Sequence, residues 1–366
     1  MSSAVPLYVR MANRLRSEVL NGRYKPGDTI GSESELCGRF GVSRGSVRQA
    51  LDALVKERLI YRLAGRGTFV SETSPPVKTR SSVRGLEVGV FVDVPPGMQG
   101  CGFILEMIEG FQTAGKVFYP RCDLSFEFHE FTRELGLNFL NRGNRDGFLF
   151  VPMGGNCLEF LATLRPESAG PVVIFFREAV NSRINQFFID HAEGAYLATD
   201  YLLRLGHRRV GIVLVSPIEE RVDSRSRYEG YFRAYRRANL EVDSDLVAQT
   251  DLSAAGVTGA VEAMLNHRDS PTALMIGGQA LVNPTLRVMR EMNLQTPGEL
   301  SVVAFDDATE THLHDPPLTV VKQPFARGTR LALERLIAQI MGSAADPVSV
   351  ALIPELIVRE STGEPR

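Results

Sequence analysis

The sequence predicts a multidomain α/β protein, with an amino-terminal winged helix-turn-helix followed by a two-lobed α/β domain built on parallel sheets. Three observations carry this prediction. Two short amphipathic helical patterns meet at Gly41, a polar segment with paired prolines follows, and buried-strand patterns then alternate with helical patterns. A chain of 366 residues is too long for one ordinary core, so we expect several domains.

The first helix of the amino-terminal pair is predicted by a capping box. Glu35 follows Ser32 by three residues, so each side chain can bond the other residue's backbone N–H at a helix start. Leu36 and Phe40 recur at helical spacing and should be buried, and Gly41 should end the helix.

The second helix can begin at Ser43, which is a favourable N-cap residue. Its buried face is predicted to consist of Val47, Ala50, Leu51 and Leu54. That face leaves Arg44, Ser46 and Arg48 near the start of the helix, where two guanidinium groups can bind a guanine edge or phosphates. The alternatives are that Ser43 is only a cap and that the arginines are only a solvated face.

Flanking patterns complete a winged helix-turn-helix. A preceding helix is predicted by Tyr8, Met11, Leu15 and Val19 at helical spacing. After the pair, β-prone runs at 59–63 and 68–70 flank a glycine-rich tip at 64–67, which predicts a hairpin. Such a wing can lay Arg66 along the DNA backbone or in the minor groove.

Charge and cysteine content agree with a DNA-binding amino terminus. Residues 1–80 hold 14 Lys and Arg against 7 Asp and Glu, whereas the whole chain has a net charge of −2. The basic excess therefore lies at the amino terminus, where we expect a polyanionic partner. The 4 cysteines are scattered without a C-x-x-C pair, so we expect reduced thiols and neither disulfides nor a zinc ribbon.

Residues 5–71 resemble the DNA-binding domain of the GntR family. The resemblance is carried by residues 6–8, 25–28, 32–33, 36, 42–44, 46–51 and 65–70. It implies that Arg44 and Arg48 contact bases or phosphates, with Ser32, Ser46 and Gly67 closer to the DNA backbone. Two positions depart from the family pattern. They are Gly31, where proline is usual, and Ser34, where arginine is frequent, so one phosphate contact is changed.

A second domain is predicted after a spacer. We place the winged helix-turn-helix at 1–71, a polar linker containing two prolines at 72–85, and the large domain at 86–366. Continuous apolar runs in the large domain predict buried parallel strands at 88–92, 147–151, 172–176, 210–215, 272–276 and 300–305. About 280 residues exceed the needs of one sheet, so we expect two lobes with a cleft.

Ligands of open parallel sheets bind beyond the carboxyl ends of the strands. The polar residues there are Asp93, Arg177, Ser216, Gln279, Asp306 and Asp307. Carboxylates, a guanidinium and amides suit a polyhydroxylated ligand, and Phe103 can cover its apolar face. The alternative for Asp306 and Asp307 is that they cap a helix or turn.

Residues 86–360 resemble the sugar-sensing domain of the LacI/GalR family, which is similar to periplasmic sugar-binding proteins. The resemblance is carried by residues 190–195, 198–211, 227–231, 271–273, 301–307 and 316–324. It implies that Arg227 and Asp306 are the strongest effector contacts, followed by Arg177 and Gln323 and then by Asp93 and Phe103. Glycines 277 and 278 with Gln279 depart from the usual Asn-Asp pair, and the family's hinge helix is not evident in the linker.

The pairing of these two domains resembles the architecture of the arabinose-repressor family. It implies a cytoplasmic, homodimeric transcription regulator, most simply a repressor, that binds operator DNA and is controlled by a small ligand, expected to be a sugar. A ligand-dependent activator or a corepressor-type regulator fits the same residues. A sugar enzyme is disfavoured, since no catalytic constellation stands out. An exported binding protein is disfavoured too, because no export signal or membrane span is found. We expect no cofactor, and no metal at histidines 312 and 314.

Overall fold

The computed structural model describes residues 7–20, 23–56, 59–63, 67–71, 85–96, 98, 101–219, 221–343 and 346–366. Within these ranges, the helices and strands are α1 (Leu7–Leu20), α2 (Glu33–Phe40), α3 (Arg44–Lys56), β1 (Ile60–Leu63), β2 (Gly67–Val70), β3 (Leu86–Asp93), α4 (Gly102–Phe118), β4 (Cys122–His129), α5 (Arg133–Leu140), β5 (Gly147–Val151), α6 (Gly155–Thr163), α7 (Pro166–Ala169), β6 (Val172–Phe176), β7 (Asn185–Ile189), α8 (His191–Arg204), β8 (Val210–Val215), α9 (Val222–Arg237), β9 (Val247–Thr250), α10 (Ala254–Leu265), β10 (Ala273–Ile276), α11 (Gln279–Glu291), β11 (Ser301–Phe305), α12 (Thr309–Leu313), β12 (Thr319–Lys322), α13 (Phe325–Ile340), β13 (Ser349–Leu352) and β14 (Glu355–Ile357).

The chain divides into two compact units. The first unit comprises Met1–Asp93, Phe111–Phe188 and Arg327–Leu352, and the second comprises Val94–Gly110, Ile189–Ala326 and Ile353–Arg366. Residues 72–84 of the predicted linker at 72–85 lie outside the described part of the chain.

The amino-terminal helices and the β1–β2 hairpin of the first unit form a winged helix-turn-helix, as predicted. Its core contains the predicted positions Met11, Leu15, Leu36, Val47, Ala50, Leu51 and Leu54, each at most 3% exposed. Phe40 is the exception, since it is only half-buried. The Arg39 guanidinium lies 4.9 Å from the centroid of the Phe40 ring, so a cation rather than the core covers part of that ring.

The larger part of the first unit is an α/β layer. Within the described residues its strands form one sheet in the order β13-β7-β6-β5-β3-β4, and the pairs from β7 to β4 are all parallel. The predicted strands β3, β5 and β6 are buried along nearly their whole length because helices cover the sheet. Continuous apolar runs therefore identified these three strands correctly.

The second unit repeats this plan. Its described strands are ordered β14-β12-β11-β10-β8-β9, and all the pairs are parallel except β12–β14 at one edge. The predicted strands β8, β10 and β11 are confirmed. Helices α8 and α9 pack so closely that a Cβ atom at Gly230 would lie 1.9 Å from the carbonyl oxygen of Ala192. Only glycine fits there, because the backbone of one helix fills the space of a side chain.

None of the helices in the described ranges is long and apolar enough to cross a membrane. The cysteines Cys37, Cys101, Cys122 and Cys157 are free thiols in this structure.

Candidate nucleic-acid interface and ligand site

The start of α2 is fixed by the predicted capping box. The Ser32 hydroxyl accepts a hydrogen bond from the Glu35 backbone at 3.2 Å, and the Glu35 carboxylate accepts one from the Ser32 backbone at 2.7 Å. These bonds from the Ser32 backbone and hydroxyl lower the pKa of Glu35, so the box is complete at neutral pH. Gly41 ends the helix in the left-handed conformation at φ 63°. Ser32 therefore stands, exposed, at a helix amino terminus.

The start of α3 is capped by Ser43. Its hydroxyl accepts a hydrogen bond from the Ser46 backbone at 3.2 Å and lies 3.1 Å from the Ser46 hydroxyl. With the apolar face of α3 in the core, Ser43, Arg44 and Arg48 are exposed on the other side. Exposed N-cap hydroxyls, helix amino termini and guanidinium groups are the features that bind phosphates.

An ion pair joins the two helices on this exposed side. Nε of Arg48 lies 3.0 and 3.1 Å from the two carboxylate oxygens of Glu33, in the first turn of α2. The Arg48 side chain keeps 64% of its surface exposed. Its guanidinium is thus oriented by Glu33 while it stays accessible to a second anion.

The wing is an antiparallel hairpin in which Leu63 pairs with Gly67. Gly67 adopts φ 120°, a backbone conformation that favours glycine. A stack of Tyr61 on Phe69, with ring centroids 5.7 Å apart, holds the two strands together. The tip residue Arg66, which the sequence singled out for DNA contact, lies outside the described residues.

The centre of the candidate ligand site in the second unit is the Asp306 carboxylate. Asp306 follows β11, is 4% exposed and adopts φ 75°. The carboxylate accepts hydrogen bonds from the Gln279 backbone at 3.2 Å and from the Gln323 side-chain amide. Burial raises the pKa of Asp306, against the opposing charge of Arg227 and these two hydrogen bonds. Neither Asp306 nor Asp307 caps a helix, since α12 starts after Ala308.

Gln323 follows β12 and is 5% exposed. Its Nε2 donates to Asp306, while its Oε1 is a buried acceptor with no hydrogen-bond partner among the described residues. A buried amide oxygen of this kind is costly unless a ligand or water donates to it.

The Arg227 guanidinium forms one wall of this site. It lies 4.4 Å from the centroid of the Phe305 ring, and Nη1 donates to the Gly277 carbonyl at 2.6 Å. Nη2 lies 3.4 Å from Nδ1 of His191, and Asp223 lies one helical turn away at 3.9 Å. These contacts fix the plane of a side chain that is only 5% exposed.

Phe103 and Gln279 belong to the same unit. The Phe103 ring stacks on Phe325 with centroids 6.2 Å apart, and its backbone N–H donates to Oε1 of Gln279 at 3.2 Å. A Cβ atom at Gly102 would lie 2.8 Å from Nε2 of Gln279, so glycine makes this contact possible. Gln279 thus holds the start of α4 with its side chain while its backbone binds Asp306.

The remaining predicted ligand residues, Asp93 and Arg177, lie in the first unit. The Asp93 carboxylate accepts hydrogen bonds from the backbones of Phe131 at 3.1 Å, Met153 at 3.1 Å and Gly154 at 2.6 Å. These bonds give Asp93 a structural role, since it holds the two loops that follow β4 and β5. Arg177 is 6% exposed, with its guanidinium 5.6 Å from the Phe176 ring.

Sequence reasoning therefore named five residues that the second unit brings together: Phe103, Arg227, Gln279, Asp306 and Gln323. It missed Phe325, which stacks on Phe103. It also missed Asp223 and His191, which lie beside the Arg227 guanidinium. Phe325 lies two residues after Gln323, and Asp223 lies one helical turn before Arg227. Their spacing from residues that were already named could therefore have identified them.

Asp307 is the centre of a different arrangement. It pairs with Arg359, with Nζ of Lys322 at 3.2 Å and with Nε2 of His312 at 2.9 Å. Burial raises the pKa of Asp307, but the bonds to Arg359 and Lys322 outweigh it and lower the pKa below its ordinary value. His314 bonds the Pro316 carbonyl instead, at 2.8 Å, and no group of His, Cys, Asp and Glu in the described chain has the arrangement of a metal site.

Comparisons with known proteins follow the same division. A model described as bacterial regulatory proteins, gntR family, matches residues 7–70, and one described as a periplasmic binding protein-like domain matches residues 199–362. The chain is 26% identical to an arabinose metabolism transcriptional repressor of Geobacillus stearothermophilus over 98% of each chain. It is 29% identical to the HTH-type transcriptional repressor PurR of Pectobacterium carotovorum over 62% of this chain and 66% of that protein.

A solved structure supports the fold over the whole chain. The complex of the transcriptional regulator CelR with cellobiose matches with a TM-score of 0.64 at 22% identity, over 98% of this chain and 99% of that one. At this identity the likeness establishes the fold alone.

The adjacent aspartates should respond to neutralisation with opposite signs. Asp306→Asn removes a buried charge, and asparagine tolerates the left-handed backbone at this position. We expect it to stabilise the ligand-free protein by about 1 kcal/mol at pH 7. Because the pKa of Asp306 is raised, the charge penalty grows as pH rises through it, so the gain should shrink at low pH.

Asp307→Asn is the matched control. Its pKa is lowered, so its ion pairs stabilise the protein above the ordinary pKa of aspartate and are lost as pH falls. We expect a loss of about 1 kcal/mol at pH 7, since Lys322 is half-exposed and solvent screens its charge. Urea unfolding between pH 4 and 8 measures both effects. Equal signs for the two variants at neutral pH would contradict this assignment.

Proposed function

We infer that this chain is a two-domain transcriptional repressor, with a DNA-binding domain of the gntR family and a periplasmic-binding-protein-like ligand-binding domain. One observation carries the inference: a single chain combines an exposed helix start bearing Arg44 and Arg48 with a buried set formed by Asp306, Gln323 and Arg227. The matching families are transcription regulators, not enzymes.

DNA contact is proposed at the exposed side of α2 and α3. Arg44 and Arg48 supply the guanidinium groups that bind guanine edges or phosphates in a major groove. Ser32, Ser43 and Ser46 lie at or near the helix starts, where phosphates are favoured. Gly67 brings the wing strand close, and we propose that Arg66 contacts the DNA beside it.

A sugar is the proposed effector. A sugar hydroxyl can donate to Oε1 of Gln323 and to the Asp306 carboxylate, and can accept from Arg227. The Phe103 ring is proposed to cover its apolar face, with Gln279 beside it. A relative named for arabinose metabolism and a fold neighbour bound to cellobiose support this ligand class.

The regulatory scheme is relief of repression by the ligand, in the cytoplasm, where operator DNA is accessible. A ligand changes operator affinity only through its different affinities for the free and DNA-binding states of the repressor. We propose a boundary between the two domains at 72–85, with the DNA-binding domain at 1–71 and the ligand-binding domain at 86–366.

We also propose a homodimer, since a two-fold protein matches a palindromic operator. A groove of about 860 Å³ between α11 and α12 supports this proposal. Leu313 at its rim is 79% exposed. Arg287, Arg290, Glu291 and Glu310 all line this groove, so its surface carries charges of both signs and can pair with a copy of itself.

The double substitution Arg44→Ala with Arg48→Ala should weaken operator binding at least about tenfold, because it removes two charged contacts. The affinity should also depend less steeply on salt, since fewer counterions are released. A duplex selected with the unmodified protein from genomic fragments serves as the probe in fluorescence anisotropy.

The control for this experiment is Arg204→Ala with Arg233→Ala, which removes two exposed arginines from the ligand-binding domain. It changes the net charge equally and should leave operator affinity within about twofold. If operator affinity is unchanged by the Arg44 and Arg48 substitutions, the exposed side of α2 and α3 is not the DNA-binding surface.

A sugar that binds this site should raise the unfolding temperature of the full chain by mass action. The screen uses L-arabinose, D-ribose, D-xylose, D-glucose and cellobiose. Arg227→Lys should abolish the shift produced by any hit, because an ammonium group cannot reproduce the fixed fork of a guanidinium. Arg225→Lys, exposed on the same helix, should keep it. A hit that both variants retain argues against the assigned site.

Leu313→Asp should convert the dimer to a monomer, because it replaces an exposed apolar side chain of the proposed interface with a charge. Val180→Asp is the matched control, since Val180 is 92% exposed and lies in the first unit. Sedimentation velocity distinguishes the two states. A dimer that persists in the Leu313→Asp variant would place the interface elsewhere.

A further inference from the structure

Helix α1 of the winged helix-turn-helix is buried on two opposite faces. One face, with Met11 and Leu15, packs into the core of that domain. At 100° per residue, Leu20 lies on the opposite side, yet it is only 9% exposed. A surface helix ordinarily presents that side to solvent, so a second partner covers α1.

That partner is strand β13. Helix α1 packs against β13, and the Ser17 hydroxyl accepts a hydrogen bond from the Ala351 backbone at 3.2 Å. At 100° per residue, Ser17 is a neighbour of Leu20 on the side of α1 that faces away from Met11 and Leu15. Among the described strands, β13 is at the edge of its sheet, a position that proteins commonly cover with a helix or loop. The contact therefore covers a sheet edge with a helix.

The position of β13 in the chain gives this contact a mechanical consequence. The chain leaves the first unit at Leu352, the last residue of β13, and enters the second unit at Ile353. The neighbouring strand β7 has the same property, since the chain passes between units at Phe188 and Ile189. A rearrangement at these connections acts first on the strand to which α1 is bound.

The α1–β13 contact leaves the proposed DNA-binding surface, on the exposed side of α2 and α3, accessible to DNA. Ser43, Arg44 and Arg48 are exposed in this arrangement, because α1 uses the side opposite the domain core for docking. A winged helix-turn-helix that is held in one orientation loses less rotational freedom on binding DNA than one that is free to tumble on a linker.

We propose that the α1–β13 contact is a docking surface that orients the winged helix-turn-helix for operator binding and couples it to the ligand-binding domain. The coupling rests on the proposed function, whereas the docking does not. Docking and DNA binding then favour each other, and a ligand that disturbs β13 releases the operator by undocking α1.

The docking is tested by cross-linking in the full chain. Ser17→Cys with Ala351→Cys places two thiols at the observed contact, and Ser34→Cys with Ala351→Cys is the control, because Ser34 lies in α2 and is exposed. A short bismaleimide should join residues 17 and 351 at least about tenfold faster than residues 34 and 351. The control pair also reports the background from Cys37. Equal rates would overturn the docking itself, whatever the protein does with DNA.

The coupling is tested with the same cross-linked protein. The probe is a duplex selected with the unmodified protein from a random-sequence pool. Cross-linked protein should bind it at least about fivefold tighter than the same variant before cross-linking. Unchanged or weaker binding would overturn the coupling, even with efficient cross-linking. Failure to select any duplex would instead contradict the proposed function, and the coupling with it.

Discussion

The burial of the Asp306 carboxylate is the constraint around which the second unit is arranged. A charge that is 4% exposed is tolerated only with compensating partners, and three different elements supply them. Arg227 comes from α9, Gln279 from the start of α11 and Gln323 from the end of β12. Each partner is then fixed by further contacts, such as the Gly277 carbonyl on Arg227. Part of the free-energy cost of burial remains in the ligand-free protein, because Oε1 of Gln323 has no hydrogen-bond partner among the described residues.

Much of the fold was predictable because its elements obey local rules. Ser32 and Glu35 define a helix start by their spacing alone, and continuous apolar runs such as 210–215 can only be buried strands or helices. Strand β4 was missed because it lies at a sheet edge, and its residues are half-buried or exposed throughout Cys122–His129. A search for fully apolar runs does not detect such a strand.

The residues of the candidate ligand site were only partly predictable. Residues that end strands, such as Asp306, could be named because parallel strands direct their carboxyl ends to one edge. The same rule named Asp93, whose carboxylate is occupied by three backbone N–H groups. Sequence alone cannot separate these cases, since both are aspartates after buried strands. The difference arises from loops that fold back onto Asp93, which are long-range contacts without a local signal. The second buried face of α1 was missed for the same reason.

The two candidate sites differ in exposure, and this difference determines how each responds to the solution. Arg48 is exposed and already paired with Glu33, so added salt screens its attraction for phosphate and for Glu33 alike. Arg227 and Asp306 are shielded from ions by burial, so salt has little access to their interaction. Added salt should therefore weaken phosphate binding at Arg48 steeply, while it scarcely changes the interaction of Arg227 with Asp306.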